Sequence, residues 1–168
     1  WFPAWILFEV LSGGFGSRLT EEFREKRGLT YSVSAYPLPM ENAGLILGSV
    51  STKNSKVKDT VLLLEKVWKE FSVNGPTKEE VENAKSYLKG SYGLQFTNSR
   101  SIAGLLVALQ RHKLGVDYLT ERSKLIEDVT LSDLKRVAKR IFNDDKLMFA
   151  IIGTPQNIQS SISIPALD

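Results

Sequence analysis

Residues 1–11, Trp-Phe-Pro-Ala-Trp-Ile-Leu-Phe-Glu-Val-Leu, are apolar at every position but Glu9, and Gly13-Gly14-Phe15-Gly16 follows almost at once. A helix of that sequence has almost no face to offer to water, so it must be buried and the rest of the chain must pack around it. Pro3 suits the first turn of such a helix, and the glycines suit its stop because they tolerate a left-handed backbone. The run lacks a basic leader and is broken by Glu9, so neither a signal peptide nor a membrane span fits it. It reads as a core helix whose upstream context is missing, and the chain as cut from something longer.

Downstream, the pattern alternates between helix and strand signals. Ser17 is placed to cap a helix over residues 18–27, with Leu19 and Phe23 on its apolar side and Gly28 as terminator. Residues 30–38 are rich in Tyr, Val and Ser, Pro37, Pro39 and Asn42 mark a connection, and residues 43–51 read as an antiparallel partner strand. A helix over 56–73 follows, capped by Ser55, with Val57, Val61, Leu64, Trp68 and Phe71 on one stripe. Gly75-Pro76 closes it, and Thr77-Lys78-Glu79-Glu80 has the capping-box form for a helix running to about Leu94. Further helices are predicted over 101–114, 118–127 and from Thr130 to about Phe142. The apolar run 146–153 predicts a buried strand. Residues 158–168 have no helical pattern and include Pro165, so the chain divides into one domain over 1–157 and a tail or linker over 158–168.

Three predicted strands and about six helices, with the hairpin separated from the last strand by a long helical block, point to an α+β layer fold instead of a wound parallel sheet. Three strands make a thin sheet, which implies one or more preceding strands outside this sequence. With 42% apolar residues the 168-residue chain can bury a core without staples. The 22 basic and 19 acidic residues leave a net charge of +3 and are interspersed, which argues for solubility more than for a nucleic-acid footprint. The absence of cysteine does not fix a compartment.

One histidine, His112, and no cysteine leave the chain without the usual ligand set for zinc. His112 lies between Arg111 and Lys113 on a helix face and reads as a surface group. Lys135, Arg136, Lys139 and Arg140 form a basic stripe of the kind that is usually a solvated face. Gly13-Gly14-Phe15-Gly16 lacks the lysine and following hydroxyl of a phosphate-binding loop, so a helix stop is the better reading. The stretch from Phe23 to Val33 is different, because it joins a charged helix end to a strand and brings the Arg24 guanidinium toward the Tyr31 phenol. Taken without a family, such an arginine is usually a solvated charge on the helix dipole and such a tyrosine usually packs.

The string Leu11-Ser12-Gly13-Gly14-Phe15-Gly16-Ser17-Arg18-Leu19, continued by Glu22-Phe23-Arg24-Glu25-Lys26-Arg27-Gly28-Leu29-Thr30-Tyr31-Ser32-Val33, resembles the C-terminal, metal-free domain of the pitrilysin and insulinase family of inverted-zincin metallopeptidases. The likeness continues through the helical block to the Phe149-Ala150-Ile151-Ile152-Gly153 run, in the style of bacterial members and the mitochondrial processing peptidase. It implies an α+β fold with a mixed, mainly antiparallel sheet, helices on one face, and N-terminal strands missing here. It also implies that zinc is bound in another domain, through a His-x-x-Glu-His helix that this chain lacks. That domain is expected either in the same parent chain or on a separate subunit, with a peptide as substrate. The family's arginine and tyrosine, seven residues apart, match Arg24 and Tyr31, which by that resemblance hold the substrate backbone and stabilise the tetrahedral intermediate. Arg18 and Arg27 then read as structural or surface groups. The chain alone is expected to be inactive, without a cofactor of its own. A bacterial periplasmic setting is favoured over the cytoplasm by the resemblance alone.

Two other functions compete with this one. A catalytically silent relative serving as a structural or assembly subunit has the same fold, although the presence of both Arg24 and Tyr31 argues mildly against it. A basic nucleic-acid-binding module would show strongly salt-dependent association.

Overall fold

The computed structural model describes residues 2–40, 43–143 and 147–162. Its elements run α1 (Phe2–Ser12), a π-helical segment (Thr20–Glu25), β1 (Val33–Pro39), β2 (Gly44–Val50), α2 (Val57–Asn74), α3 (Lys78–Gly90), α4 (Ser99–Arg111), α5 (Tyr118–Glu127) and α6 (Leu131–Ile141), with 3-10 turns at Asn54–Lys56 and Ser91–Phe96.

As its composition demands, α1 is the centre of the molecule. It packs against β1, α3, α5 and α6, and Ile6, Leu7 and Leu11 are fully buried. Beside it, Phe142 at the end of α6 forms an aromatic hub, with ring centroids 4.9 Å from both Trp68 and Phe71 of α2 and 5.3 Å from Phe8 of α1. Edge-on and tilted contacts of this kind stabilise beyond the area they bury. The helix predicted over 56–73 is present one residue later. Its buried face is Thr60, Leu63, Val67, Trp68 and Phe71, so Val57, Val61 and Leu64 are only half-buried. Ser55 is not its cap: the 3-10 turn takes up that residue, and α2 starts after Lys56 with no side-chain cap.

The capping box predicted at Thr77 is present, and a second one that the sequence analysis does not predict forms at Thr130. Thr77 accepts from the Glu80 amide and Glu80 accepts from the Thr77 amide at the start of α3, and Thr130 and Asp133 do the same for α6. α3 stops at Gly90 instead of near Leu94, and a 3-10 turn takes over through Phe96. Asn98, whose side chain accepts from the Ser101 amide, starts α4 two residues before the predicted position.

β1 and β2 form an antiparallel pair in register from Val33 opposite Val50 to Pro39 opposite Gly44. The fold is therefore α+β, with α1 against the sheet on one side while Tyr36, Leu45 and Leu47 on the other are exposed. The Ala35 N–H donates to Ser12 Oγ at 2.8 Å, so amides of that parity point away from β2. Pro37 and Pro39 share the parity and carry no N–H. The outer edge of β1 is thus closed to a further strand, which is where proline is tolerated in a sheet.

The third strand expected over 146–153 is not formed. Lys146 lies outside the described residues, and among those that are described the sheet has two strands. Leu147 packs on the core, but Met148 and Ile152 are exposed. The segment is held just beyond its end, where Asn54 Nδ2 donates to Thr154 Oγ1 at 2.8 Å and the Asn54 carbonyl accepts from the Gln156 amide at 3.0 Å. An apolar run supplies side chains that favour a strand, but a ladder forms only where the chain lies alongside an open edge. Of the other expectations, Asn42 in the hairpin connection and residues 163–168 of the predicted tail lie outside the described residues. Among the described residues, no helix is long and apolar enough to cross a membrane.

Candidate functional site

The corner between α1 and β1 begins with a glycine turn. A methyl group at Gly13 would lie 2.0 Å from Glu9 Oε1 and 2.5 Å from the Glu9 carbonyl oxygen, so the chain can leave α1 this closely only without a side chain there. Gly14 and Gly16 then have φ of 116° and 87°, conformations that glycine adopts without strain. Burial of the Glu9 carboxyl raises its pKa above the usual value.

After the turn, Ser17 does not cap a backbone amide as expected; its hydroxyl donates to Thr20 Oγ1 at 3.0 Å. The helix predicted over 18–27 begins with two α-helical residues and then widens into the π-helical segment, seen in the Lys26 amide bonding to the Glu21 carbonyl at 2.9 Å. Such widened turns are rare and often mark functional sites. Phe23 anchors the segment in the core with no exposed surface, and Arg24, the next residue, emerges on the solvent side.

Arg18 ties the base of this segment to the α2–α3 corner. Its Nη2 donates to Glu80 Oε2 at 2.8 Å and to the Gly75 carbonyl at 3.0 Å, its Nε donates to Glu80 Oε1, and the guanidinium lies 4.8 Å from the Phe71 ring centroid. Glu80 therefore serves both the capping box and the ion pair. Burial of Glu80 favours its neutral form, but hydrogen bonds from Arg18 and the Thr77 amide outweigh that and hold its pKa below the usual carboxylate value. A carboxylate with a depressed folded pKa stabilises the fold above its unfolded pKa, and that contribution is lost as pH falls through the folded value. Glu80→Gln is expected to cost roughly 2 kcal/mol at neutral pH and to flatten the acid limb of the stability profile. Thermal melts of both proteins from pH 7 down to below the carboxylate range would show this, and parallel profiles would rule it out. Arg27 lies on the surface, paired with Glu22 and donating to the Glu22 carbonyl at 2.9 Å.

Tyr31 is not on the strand. β1 starts at Val33, and Tyr31 sits on the bend before it with 94% of its surface exposed. Thr30, buried beside it, staples the backbone: its hydroxyl donates to the Ser32 carbonyl at 2.8 Å and accepts from the Ser32 amide at 3.1 Å. Thr52 Oγ1 adds a bond to the Leu29 carbonyl at 2.7 Å. The bend is thus held on its inner side while the phenol projects outward.

Arg24 and Tyr31 both line one shallow, open depression of about 140 Å³, together with Gly14, Phe15, Thr20, Ser32 and Val33. The Arg24 side chain is 40% exposed, lies 3.4 Å from Glu25 Oε1, and has its guanidinium 5.3 Å from the Phe15 ring centroid. Chemically this is a rim of hydrogen-bond donors with an apolar wall. It suits an acceptor oxygen approaching from solvent.

The other residues singled out in the sequence stay apart from this depression. His112 is exposed at the end of α4. Arg136 pairs with Asp133 at 3.0 Å, and Lys139 and Arg140 are exposed on the same face of α6. No group of three or more His, Cys, Asp or Glu side chains among the described residues converges to hold a metal.

A family model for the peptidase M16 inactive domain matches residues 1–88, more than half of the 168 residues, and the chain belongs to that family. Among its relatives, a Helicobacter pylori protein described as a non-peptidase homolog YmxG is 32% identical over 150 residues, covering 88% of this chain and 34% of the relative. An uncharacterized zinc protease YmxG of Bacillus subtilis is 28% identical over 159 residues, covering 92% of this chain and 38% of the relative. The crystal structure of a peptidase M16 inactive domain from Pseudomonas fluorescens superposes with a TM-score of 0.79 at 32% identity, covering 87% of this chain and 34% of that one. The chain thus spans about a third of the length of these proteins.

Three features of the site were not read from the sequence. The Thr30 staple and the π-helical widening had no residue pattern to announce them. Phe15, an aromatic between two glycines, did have a signal, since a helix stop requires the glycines but no aromatic. Outside the site, Arg122 of α5 was also missed. It is 2% exposed, with its guanidinium 4.6 Å from the Trp5 ring centroid and 4.2 Å from that of Tyr92, and Nη1 donates to the Leu88 carbonyl at 2.9 Å. It joins α1, α3 and α5 in the core.

Proposed function

We propose that this chain is the substrate-contacting, metal-free half of a zinc-dependent metalloendopeptidase and completes the active site of a His-x-x-Glu-His domain supplied elsewhere, either in the same polypeptide or on a separate subunit. The observation that carries this reading is that Arg24 and Tyr31 face one open depression from two separately anchored segments. A side chain needed only for packing has no reason to stand 94% exposed on a stapled bend.

In this reading Arg24 holds a carbonyl oxygen of an extended peptide with its guanidinium. Tyr31 donates its phenolic hydrogen bond to the oxygen that gains charge as the peptide bond is attacked. Zinc, held by the other domain, supplies Lewis acidity and the activated water. The chain alone has neither and is expected to be inactive. The assembled enzyme carries the family expectation of a bacterial periplasmic setting.

The test is to combine the protein with candidate His-x-x-Glu-His partners and zinc and to follow cleavage of a quenched-fluorescent peptide library. Cleavage by the pair and by neither component alone supports the reading. A second reading, a catalytically silent assembly subunit, is favoured by the description of the Helicobacter pylori relative as a non-peptidase homolog. It predicts a stable complex with no cleavage, and no change in complex formation when Arg24 or Tyr31 is replaced.

A further inference from the structure

Phe15 stands at the tip of the glycine turn with 88% of its surface exposed. The turn does not need its side chain, because it is closed by the Ser17 amide donating to the Gly14 carbonyl at 3.1 Å and shaped by the positive φ of Gly14 and Gly16. A single exposed aromatic is ordinary on a protein surface. This one lies 5.3 Å from the Arg24 guanidinium and shares the depression with a second exposed aromatic, Tyr31. The other contact of the guanidinium is Glu25, at 3.4 Å. The guanidinium thus has both a carboxylate and a ring within reach where Arg24 lines the depression. An acidic ligand group there would meet the Glu25 charge, whereas a neutral carbonyl beside an apolar side chain would not.

We propose that Phe15 is a positioning and specificity residue of this site: its ring holds the Arg24 guanidinium over the depression, and together with Tyr31 it receives an apolar or aromatic side chain of an extended peptide whose backbone carbonyl Arg24 binds. This rests on the peptide-contacting reading given above. Exposed cation–π contacts are weak one at a time, so Phe15 is expected to change affinity by about threefold to tenfold and not to abolish binding.

The experiment uses the 168-residue protein and two blocked tripeptides, acetyl-Ala-Phe-Ala-amide and acetyl-Ala-Gly-Ala-amide, titrated while NMR follows the Arg24 side chain. The phenylalanine peptide is expected to bind about threefold to tenfold more tightly than the glycine peptide. The Arg24 side-chain protons are expected to show an upfield ring-current shift in the free protein. Phe15→Ser should abolish both the preference and the shift, and Phe15→Tyr should keep both, with the unfolding midpoint unchanged in each variant. If Phe15→Ser keeps the preference and the Arg24 shift while Arg24→Met loses binding, the role of Phe15 is overturned and the peptide-contacting reading survives. If the wild-type protein binds neither peptide, the role of Phe15 is overturned, and the peptide-contacting reading stands or falls on the cleavage test with a partner domain.

Discussion

Replacing Tyr31 with phenylalanine is expected, on the function proposed above, to cut turnover of the assembled peptidase by about a hundredfold to a thousandfold and to leave the fold as stable as before. The two halves of that expectation have separate physical grounds. Stability is spared because the phenol is 94% exposed and has no intramolecular hydrogen-bond partner among the described residues, so removing its oxygen leaves nothing buried and unpaired. Turnover suffers because a donor aimed at a developing oxyanion is worth most where charge appears and little in the bound ground state. The loss should therefore fall on kcat and kcat/KM together, with KM nearly constant. A variant that turns over peptide as fast as the wild type would remove Tyr31 from the mechanism. The same result with Arg24→Met still impaired would leave the depression as a binding surface only.

Phe142→Ala is expected to destabilise the protein by about 4 kcal/mol. The ring has no exposed surface, and it makes edge-on contacts with Trp68 and Phe71 and a tilted contact with Phe8. Those three partners come from α1 and α2, while Phe142 itself ends α6, so truncation opens a cavity where three helices meet and no single element can shift to fill it. Against the roughly 5–15 kcal/mol that hold a typical domain folded, this is a large fraction. Urea unfolding of both proteins would measure it, and a loss below about 1 kcal/mol would mean that the helices close over the gap. Phe142→Leu, which keeps much of the volume, should cost less.

How legible the fold was depends on the range of the interactions involved. The buried opening helix, the hairpin, the capping box at Thr77 and the helix start at Thr130 were all readable, because each is decided by residues within a few positions of one another. The face of α2 was read about one residue out of register, since Val57, Val61 and Leu64 fit a helical stripe nearly as well as Thr60, Leu63 and Val67 do. A buried threonine such as Thr60, which donates to the Lys56 carbonyl at 2.8 Å, is invisible to a search for apolar periodicity. The run ending at Gly153 was misread for a related reason: its composition favours a strand, but pairing depends on whether the rest of the chain lays it alongside an open edge, which local composition does not encode.

The site divides along the same line. The ordered string running from Leu11 to Val33 singles out Arg24 and Tyr31 by resemblance, and it also points to the family to which the chain belongs. Sequence order could place the arginine on a helix and the tyrosine after it, but not the shape of the ground between them. The π-helical widening that presents Arg24, the Thr30 staple that turns Tyr31 outward, and the approach of Phe15 to the guanidinium are products of packing. So is the grip of Arg18 on Glu80 across 62 positions. What the sequence determined by itself was most of the local elements, because helix propensity, capping and charge are encoded within a turn or two, and by resemblance it singled out Arg24 and Tyr31 as the two candidate donors. Only the tertiary structure decided that those donors share one depression, because that requires α1, the glycine turn and the start of β1 to be held against a common core, and the side chains that hold them are scattered along the chain.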